Sequence, residues 1–156
     1  MKGRLEELFG EVQFKVGDKM SYLGMNITIG DQGTTADMTF YVGQLLEEEQ
    51  VEEYGSPETK SMFIVKPLKA LSEDERKWFH SKTAKLLYLA KCARPDILTT
   101  VIFLCTRVQK AAEEDRGKLK RVLGYLKHRQ DRTFTLQAHG KQQYRYGVRR
   151  CGICYP

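Results

Sequence analysis

No stretch of this sequence approaches the roughly 20 consecutive apolar residues that a membrane-spanning helix needs. The opening residues, Met-Lys-Gly-Arg-Leu-Glu-Glu, also lack the apolar segment of a secretory signal. We therefore expect no membrane partner and an intracellular location, in the cytoplasm or the nucleus. The 156 residues are enough for one domain, or for a subdomain of a larger protein.

The residue groupings that are typical of enzyme active sites are also missing. The three histidines, His80, His128 and His139, are scattered, and no nucleophile accompanies any of them in a recognisable arrangement. The sequence has no glycine motif for binding phosphate, and nowhere does it have two adjacent aspartates. We therefore predict no catalytic residues in this chain.

The four cysteines do not complete a metal site. Cys92 and Cys105 lie in apolar helical contexts, and we expect both to be core thiols. Cys151 and Cys154 have the spacing of half a zinc site, but no second cysteine pair and no suitable histidine pair accompanies them. We therefore predict neither a metal ion nor another cofactor in this chain.

The positive charge is concentrated in the second half of the sequence. Residues 1–79 carry 9 Lys+Arg against 15 Asp+Glu, a balance of −6. Residues 80–156 carry 17 against 5, a balance of +12. Such asymmetry indicates a polyanion, and nucleic acid in particular, as the partner of the second half. The alternative is a solvated basic face that has no partner.

Apolar and polar residues alternate at two places early in the sequence, which is typical of half-buried strands. The first place includes Val12, Phe14 and Val16. The second runs from residue 20 to residue 29, with an irregularity at Gly24 that a bulge or a close backbone approach would explain. A helix is predicted over residues 40–54, and we interpret its run of glutamates as a solvated face rather than a metal site.

Three helices are predicted in the second half. Ser72 and Glu75 form a capping-box pattern for a helix from about residue 73 to residue 90. The second helix runs from Pro95 to about Lys110, and the third from about Glu113 to His128. The predicted fold class is α+β, with a small antiparallel sheet or hairpin followed by a bundle of three or more helices. The corresponding regions are residues 1–71 (hairpin, acidic helix and linker), 72–136 (helical) and 137–156 (an irregular basic tail).

Three separated motifs carry a family resemblance. They are Tyr22-Leu23-Gly24-Met25, then Lys85-Leu86-Leu87-Tyr88-Leu89-Ala90 followed by Arg94-Pro95-Asp96-Ile97, and finally Lys120-Arg121-Val122-Leu123-Gly124-Tyr125-Leu126-Lys127. In this order they resemble copia-type retrotransposon reverse transcriptase, an RNA-directed DNA polymerase of transposable elements. The resemblance covers about Gly3 to Phe134 and implies the end of the palm in residues 1–71 and the thumb in residues 72–136.

The resemblance also implies what this chain lacks. The family's polymerase chemistry uses a Tyr-x-Asp-Asp turn and an earlier aspartate, which together hold two magnesium ions, and this sequence has no Asp-Asp pair. We therefore expect a fragment that grips a template–primer duplex and has no catalytic activity by itself. Its expected partners are nucleic acid, bound without sequence specificity, and the missing polymerase portion. The alternatives are a repurposed basic module that binds nucleic acid or protein, and a non-functional relic.

The nucleic-acid-binding residues that the resemblance implies lie in three places. Leu23 and Gly24 match the primer grip, although an ordinary buried hairpin is the alternative. His80, Ala84 and Tyr88 match a thumb helix that faces the minor groove, and here the family commonly has glycine in place of Ala84. The alternative is that Tyr88 belongs to the core and His80 is solvated. Phosphate attraction is expected from Lys82, Lys85 and Lys91 on that helix, and from Lys120 and Arg121 on the third helix.

Overall fold

The computed structural model describes residues 2–11, 17–31, 33–47, 49–66 and 69–137. In chain order its elements are α1 (Lys2–Phe9), β1 (Lys19–Tyr22), β2 (Met25–Gly30), β3 (Gly33–Asp37), α2 (Thr39–Leu46), α3 (Glu73–Cys92), α4 (Leu98–Arg107), α5 (Glu113–His128) and β4 (Phe134–Leu136). Short 3-10 turns at Pro95–Ile97 and Val108–Lys110 flank α4. The predicted α+β class, a small antiparallel sheet followed by helices, is confirmed.

Two parts of the sequence interpretation lie outside the described residues. The strand expected at Val12, Phe14 and Val16 is one of them, and the basic tail expected over residues 137–156 is the other, from residue 138 onward and with Cys151 and Cys154. Of the remaining cysteines, Cys92 and Cys105 are free and half-buried. No helix among the described residues is long and apolar enough to cross a membrane.

The four strands form one antiparallel sheet in the order β1-β2-β3-β4. The single strand expected over residues 20–29 was wrong, because Tyr22 pairs with Met25 and the chain reverses between them. The irregularity expected at Gly24 is therefore a two-residue turn and not a bulge. No local pattern predicted β4, which joins the sheet through three residue pairs, among them Thr34 with Leu136.

The helix expected over residues 40–54 is shorter than predicted, since α2 ends at Leu46. Residues 49–66, which we call the strap, run antiparallel along α5. The Lys127 ammonium donates to the Val51 carbonyl at 3.2 Å, near the end of α5, and the Lys118 ammonium donates to the Ile64 carbonyl at 2.6 Å, nearer its start. Between them a Cβ at Gly124 would lie 2.0 Å from a strap carbonyl, so only glycine allows this close approach.

The three predicted helices of the second half are confirmed with small differences at their ends. The Ser72 hydroxyl accepts from the Glu75 amide and the Glu75 carboxylate accepts from the Ser72 amide, which is the capping box expected at the start of α3. Leu86 and Leu89 of α3 are fully buried in the core that also contains Leu104 of α4 and Leu123 of α5. The apolar faces of three helices and of α2 therefore close one hydrophobic core.

A buried arginine joins the chain between α3 and α4 to the end of α5. The guanidinium of Arg94, a residue that is 1% exposed, donates through Nε to Asp96 Oδ1 and through Nη2 to Asp96 Oδ2, both at 3.0 Å. Its Nη1 donates to the carbonyl of Arg129 at 2.8 Å, and the Tyr125 hydroxyl donates to Asp96 Oδ2 at 2.7 Å. Because α5 ends at His128, the Arg129 bond satisfies a carbonyl just beyond the helix end, which also accepts from the Arg132 amide at 3.4 Å.

The pKa of Asp96 reflects the same cluster. Burial alone raises the pKa of this carboxyl, but hydrogen bonds from Arg94 and Tyr125, together with the charges of Arg94 and Arg132, outweigh burial and lower the pKa below its ordinary value. The ionised form of Asp96 is therefore favoured in the folded chain. Arg94-Pro95-Asp96 is thus a structural motif, in which the proline occupies the first position of the 3-10 turn.

Replacing Arg94 with methionine should destabilise the fold by about 3 kcal/mol, because the change leaves the partly buried carboxylate of Asp96 without its main partner. Urea denaturation at pH 7 measures the free energy of unfolding. Lys85→Met is the matched control, since Lys85 is exposed, and it should change the free energy of unfolding by about 0.5 kcal/mol or less. An equal, small effect of both substitutions would contradict the role given to Arg94.

Acid should unfold the chain partly through Asp96. Because folding lowers the pKa of Asp96, its ionised form adds stability above the unfolded pKa of about 3.9, and this stability is lost as the pH falls through the folded pKa. Asp96→Asn should therefore be less stable than the parent chain at pH 7 and should lose less stability between pH 5 and acid. Unfolding free energies at several pH values measure this difference, and parallel pH profiles would contradict it.

Candidate nucleic-acid interface

The turn between β1 and β2 has an unusual backbone. Leu23 has φ +49° and Gly24 has φ +77°, so both residues lie in the left-handed region. Two positive φ angles are typical of a type I′ hairpin turn, which favours Asn-Gly and tolerates leucine poorly. The left-handed conformation costs about 1–2 kcal/mol at a non-glycine residue. Leu23 is 64% exposed, so burial of its side chain does not offset this cost.

The turn is held against α3 by Tyr88. The Tyr88 hydroxyl donates to the Leu23 carbonyl, and its ring contacts Tyr41 of α2 edge to face, with 5.7 Å between ring centroids. The Tyr41 hydroxyl in turn donates to the Lys85 carbonyl at 3.4 Å. Desolvation, followed by the nearby Cys92 thiol, raises the pKa of Tyr88, so its hydroxyl is a protonated donor at neutral pH. The structure therefore brings the first and second motifs into contact.

The groove-facing residues expected on α3 lie one helical turn apart along one side. His80 and Ala84 are exposed, Lys85 beside them is exposed, and Tyr88 is half-buried. Tyr88 is thus neither fully buried in the core nor fully exposed. Its hydroxyl donates to the hairpin, and part of its side chain is exposed to solvent. His80 lies in a shallow cleft with Lys77 and Gln109, near the start of the helix.

Lys82 does not belong to this surface, which corrects the expectation that it attracts phosphate. Its ammonium is buried and lies 2.9 Å from the Glu49 carboxylate, and it also donates to the Leu45 carbonyl at 3.3 Å. The indole of Trp78 donates to the same glutamate at 3.0 Å. The interpretation of the glutamate run as a solvated face was therefore wrong for Glu49, which anchors the end of α2 to α3.

Lys120 and Arg121 lie on the strap side of α5, away from the hairpin. The Arg121 guanidinium stacks on Tyr54 of the strap, 4.5 Å from the ring centroid. Lys120 lines a cleft with Trp78 of α3. Trp78 lies ten residues before Tyr88, so at a rise of about 1.5 Å per residue this cleft is about 15 Å along α3 from Tyr88. The contacts of the described residues thus join Leu23, Gly24 and Tyr88, and they leave Lys120 and Arg121 on a separate surface.

Ion pairs engage several of the cations in the second half of the chain. Cations between residues 80 and 137 that lie within 4.0 Å of a carboxylate are Lys82, Arg94, Arg107, Arg116, Lys118 and Arg132. Arg94, Arg107, Lys118 and Arg132 pair with acids that the balance of +12 already counts, whereas Lys82 and Arg116 pair with acids of the first half, so these two pairs lower the charge offered to a polyanion by two. Lys85 and Lys91 are exposed and have no carboxylate partner among the residues described. No group of three acidic, histidine or cysteine side chains in the described ranges is placed to hold a metal ion.

Sequence reasoning missed the contribution of Tyr41 and the strain at Leu23. Tyr41 precedes Tyr88 by 47 positions, and only the packing of α2 on α3 brings the two rings together. Leucine at the first position of a hairpin turn carries no turn signal of its own, although the glycine after it does. The local indication of a turn was Gly24, which lies between two segments of alternating apolar and polar residues. Leu23 before it is not a typical turn residue, so the two-residue turn was not predicted.

Leu23→Asn should stabilise the fold by about 1 kcal/mol, because asparagine tolerates the left-handed backbone that leucine adopts here at a cost. Denaturant unfolding with an unchanged slope measures the gain. Gly24→Ala is the matched change in the opposite direction, since it places a Cβ at φ +77° and should destabilise the same turn. A loss of stability in Leu23→Asn would show that the leucine side chain itself supports the fold.

Comparison of the chain with protein-family models, with curated proteins and with solved structures found no match in any of the three. The resemblance to copia-type reverse transcriptase therefore rests on its sequence motifs alone. What that resemblance implies about activity and partners is accordingly a proposal.

Proposed function

We propose that this chain grips a template–primer duplex, as the end of the palm and the thumb would in a copia-type reverse transcriptase. The duplex lies on what we call the hairpin–helix surface, formed by Leu23, Gly24, Ala84, Lys85 and Tyr88. One observation carries the proposal: the Tyr88 hydroxyl bonds to the Leu23 carbonyl, which unites two motifs 65 residues apart. A turn with an exposed backbone and a helix with a small side chain at Ala84 both permit close approach to a duplex.

The charges of α3 support the same surface. Between Lys77 and Cys92 the helix has no acidic residue, and Lys85 and Lys91 are exposed on it. Lysines attract phosphates without reading bases, which suits a protein that must accept any sequence. His80 extends this side of the helix toward its start. Lys120 and Arg121 contact nucleic acid in this proposal only where the duplex extends past the strap.

The proposed role is binding, and bond formation would belong to another polypeptide. In the family, aspartates that hold magnesium ions perform the polymerisation chemistry, so the proposed protein partner is a polymerase portion that carries them. A repurposed module would bind duplex without that partner and would not restore synthesis when the partner is added. A non-functional relic would bind neither the duplex nor the polymerase portion.

Lys85→Gln should weaken binding to a primed template duplex and should lower the magnitude of the log–log salt slope by about 0.9, the contribution of one phosphate contact. Fluorescence anisotropy between 50 and 200 mM salt measures both quantities. Lys60→Gln is the matched control, because Lys60 is also exposed but lies in the strap. Its affinity and its slope should stay close to those of the parent chain, apart from the small effect of one lost charge.

Two results would contradict the proposal. Absence of duplex binding at low salt would favour the relic. Equal effects of Lys85→Gln and Lys60→Gln would show diffuse attraction by net charge and no gripping surface on α3. Because both side chains are exposed, neither substitution should unfold the chain, and circular dichroism of each variant checks this.

A further inference from the structure

An apolar patch is exposed at the end of the strap. Phe63, Ile64 and Val65 are 48%, 51% and 50% exposed. The Phe63 ring contacts the half-buried Phe103 ring edge to face, with 5.4 Å between centroids, so the strap and α4 contribute to one surface. Contiguous exposed apolar side chains of this kind mark interaction sites more often than single exposed residues do.

The fold holds this patch in a fixed position. The Lys118 ammonium is buried, donates to the Ile64 carbonyl at 2.6 Å and lies 5.3 Å from the centroid of the Phe103 ring. Met62, next to the patch, is fully buried and fixes the strap from below. A turn bond from the Ile64 amide to the Ser61 carbonyl, 3.1 Å long, adds a further restraint. The apolar side chains are therefore preorganised, which lowers the entropic cost of binding a partner.

The charge around the patch selects the partner. Lys60 and Lys66 border the apolar residues on both sides and are exposed, with no carboxylate partner among the described residues. At the start of α5, Glu114 lies 3.4 Å from Lys118 and Asp115 lies 3.3 Å from Arg107, so both of these carboxylates are paired. Lys60 and Lys66 therefore place positive charge at both ends of the apolar run, which complements an apolar segment bordered by acids.

We propose that Phe63, Ile64 and Val65, together with the Phe103 ring against which Phe63 packs, form a docking site for an acidic amphipathic peptide segment of a protein partner. Apolar side chains of that segment cover the patch, and its carboxylates pair with Lys60 and Lys66. The site is separate from the hairpin–helix surface and does not depend on duplex binding.

The test uses the full chain and a fluorescein-labelled 16-residue peptide built from leucine, phenylalanine and glutamate in an amphipathic helical pattern. A second peptide has lysine at every glutamate position. Anisotropy should show saturable binding of the acidic peptide only. Ile64→Ser should weaken that binding about tenfold, the scale expected for a central interface residue. Lys66→Glu should also weaken it, and Phe40→Ser, which removes an apolar residue elsewhere that is still more exposed (75% against 51% for Ile64), should not.

Several outcomes would overturn the docking site. They are equal binding of the acidic and basic peptides, an effect of Phe40→Ser as large as that of Ile64→Ser, and absence of binding. Binding of anionic lipid vesicles through Ile64, without binding of the acidic peptide, would also overturn the docking site. Duplex affinity measured on the same variants separates the two sites, because Ile64→Ser should leave it unchanged.

Discussion

The helical part of the fold depends on one buried guanidinium. Arg94 neutralises Asp96, closes the carbonyl end of α5 and lies near Tyr125, so three segments meet at a single charge. A buried charge is costly unless it and the polar groups around it have hydrogen-bond partners. Here the Asp96 carboxylate and the Arg129 carbonyl accept from Arg94, and the Tyr125 hydroxyl donates to Asp96. The geometry of α4 against α5 is thereby specified by a few hydrogen bonds in addition to hydrophobic packing.

A second set of contacts fixes the position of the sheet against α3. The hydroxyl of Tyr88 bonds to the hairpin turn and its ring packs on Tyr41, so the sheet is fastened to α3 at the turn. Pairing of β4 with β3 adds a connection from the other end of the chain. The hairpin therefore presents Leu23 and Gly24 at a fixed place beside the exposed side of α3. Strain at Leu23 is stored at the point where function is proposed, as strained backbone often is.

Local signals in the sequence predicted the helical half well and the sheet less well. The capping box at Ser72 and Glu75, the proline at position 95 and the 3.6-residue periodicity each act over a few residues, so the bounds of α3 and α5 could be predicted closely. The burial of Lys82 could not be predicted from local signals, because it depends on an ion pair with Glu49, which lies outside α3. The turn at Leu23 was hidden for a related reason, since tertiary contacts maintain a backbone that leucine disfavours.

Above all, we propose that duplex nucleic acid lies on the hairpin–helix surface. Hydroxyl-radical footprinting of the full chain, with and without a primed template duplex, tests it directly because it reports the exposure of individual side chains. We expect the duplex to protect Leu23, His80 and Tyr88, while Phe63 and Ile64 on the strap stay equally reactive. Protection confined to the strap, or an unchanged footprint under conditions where binding is saturated, would contradict the claim.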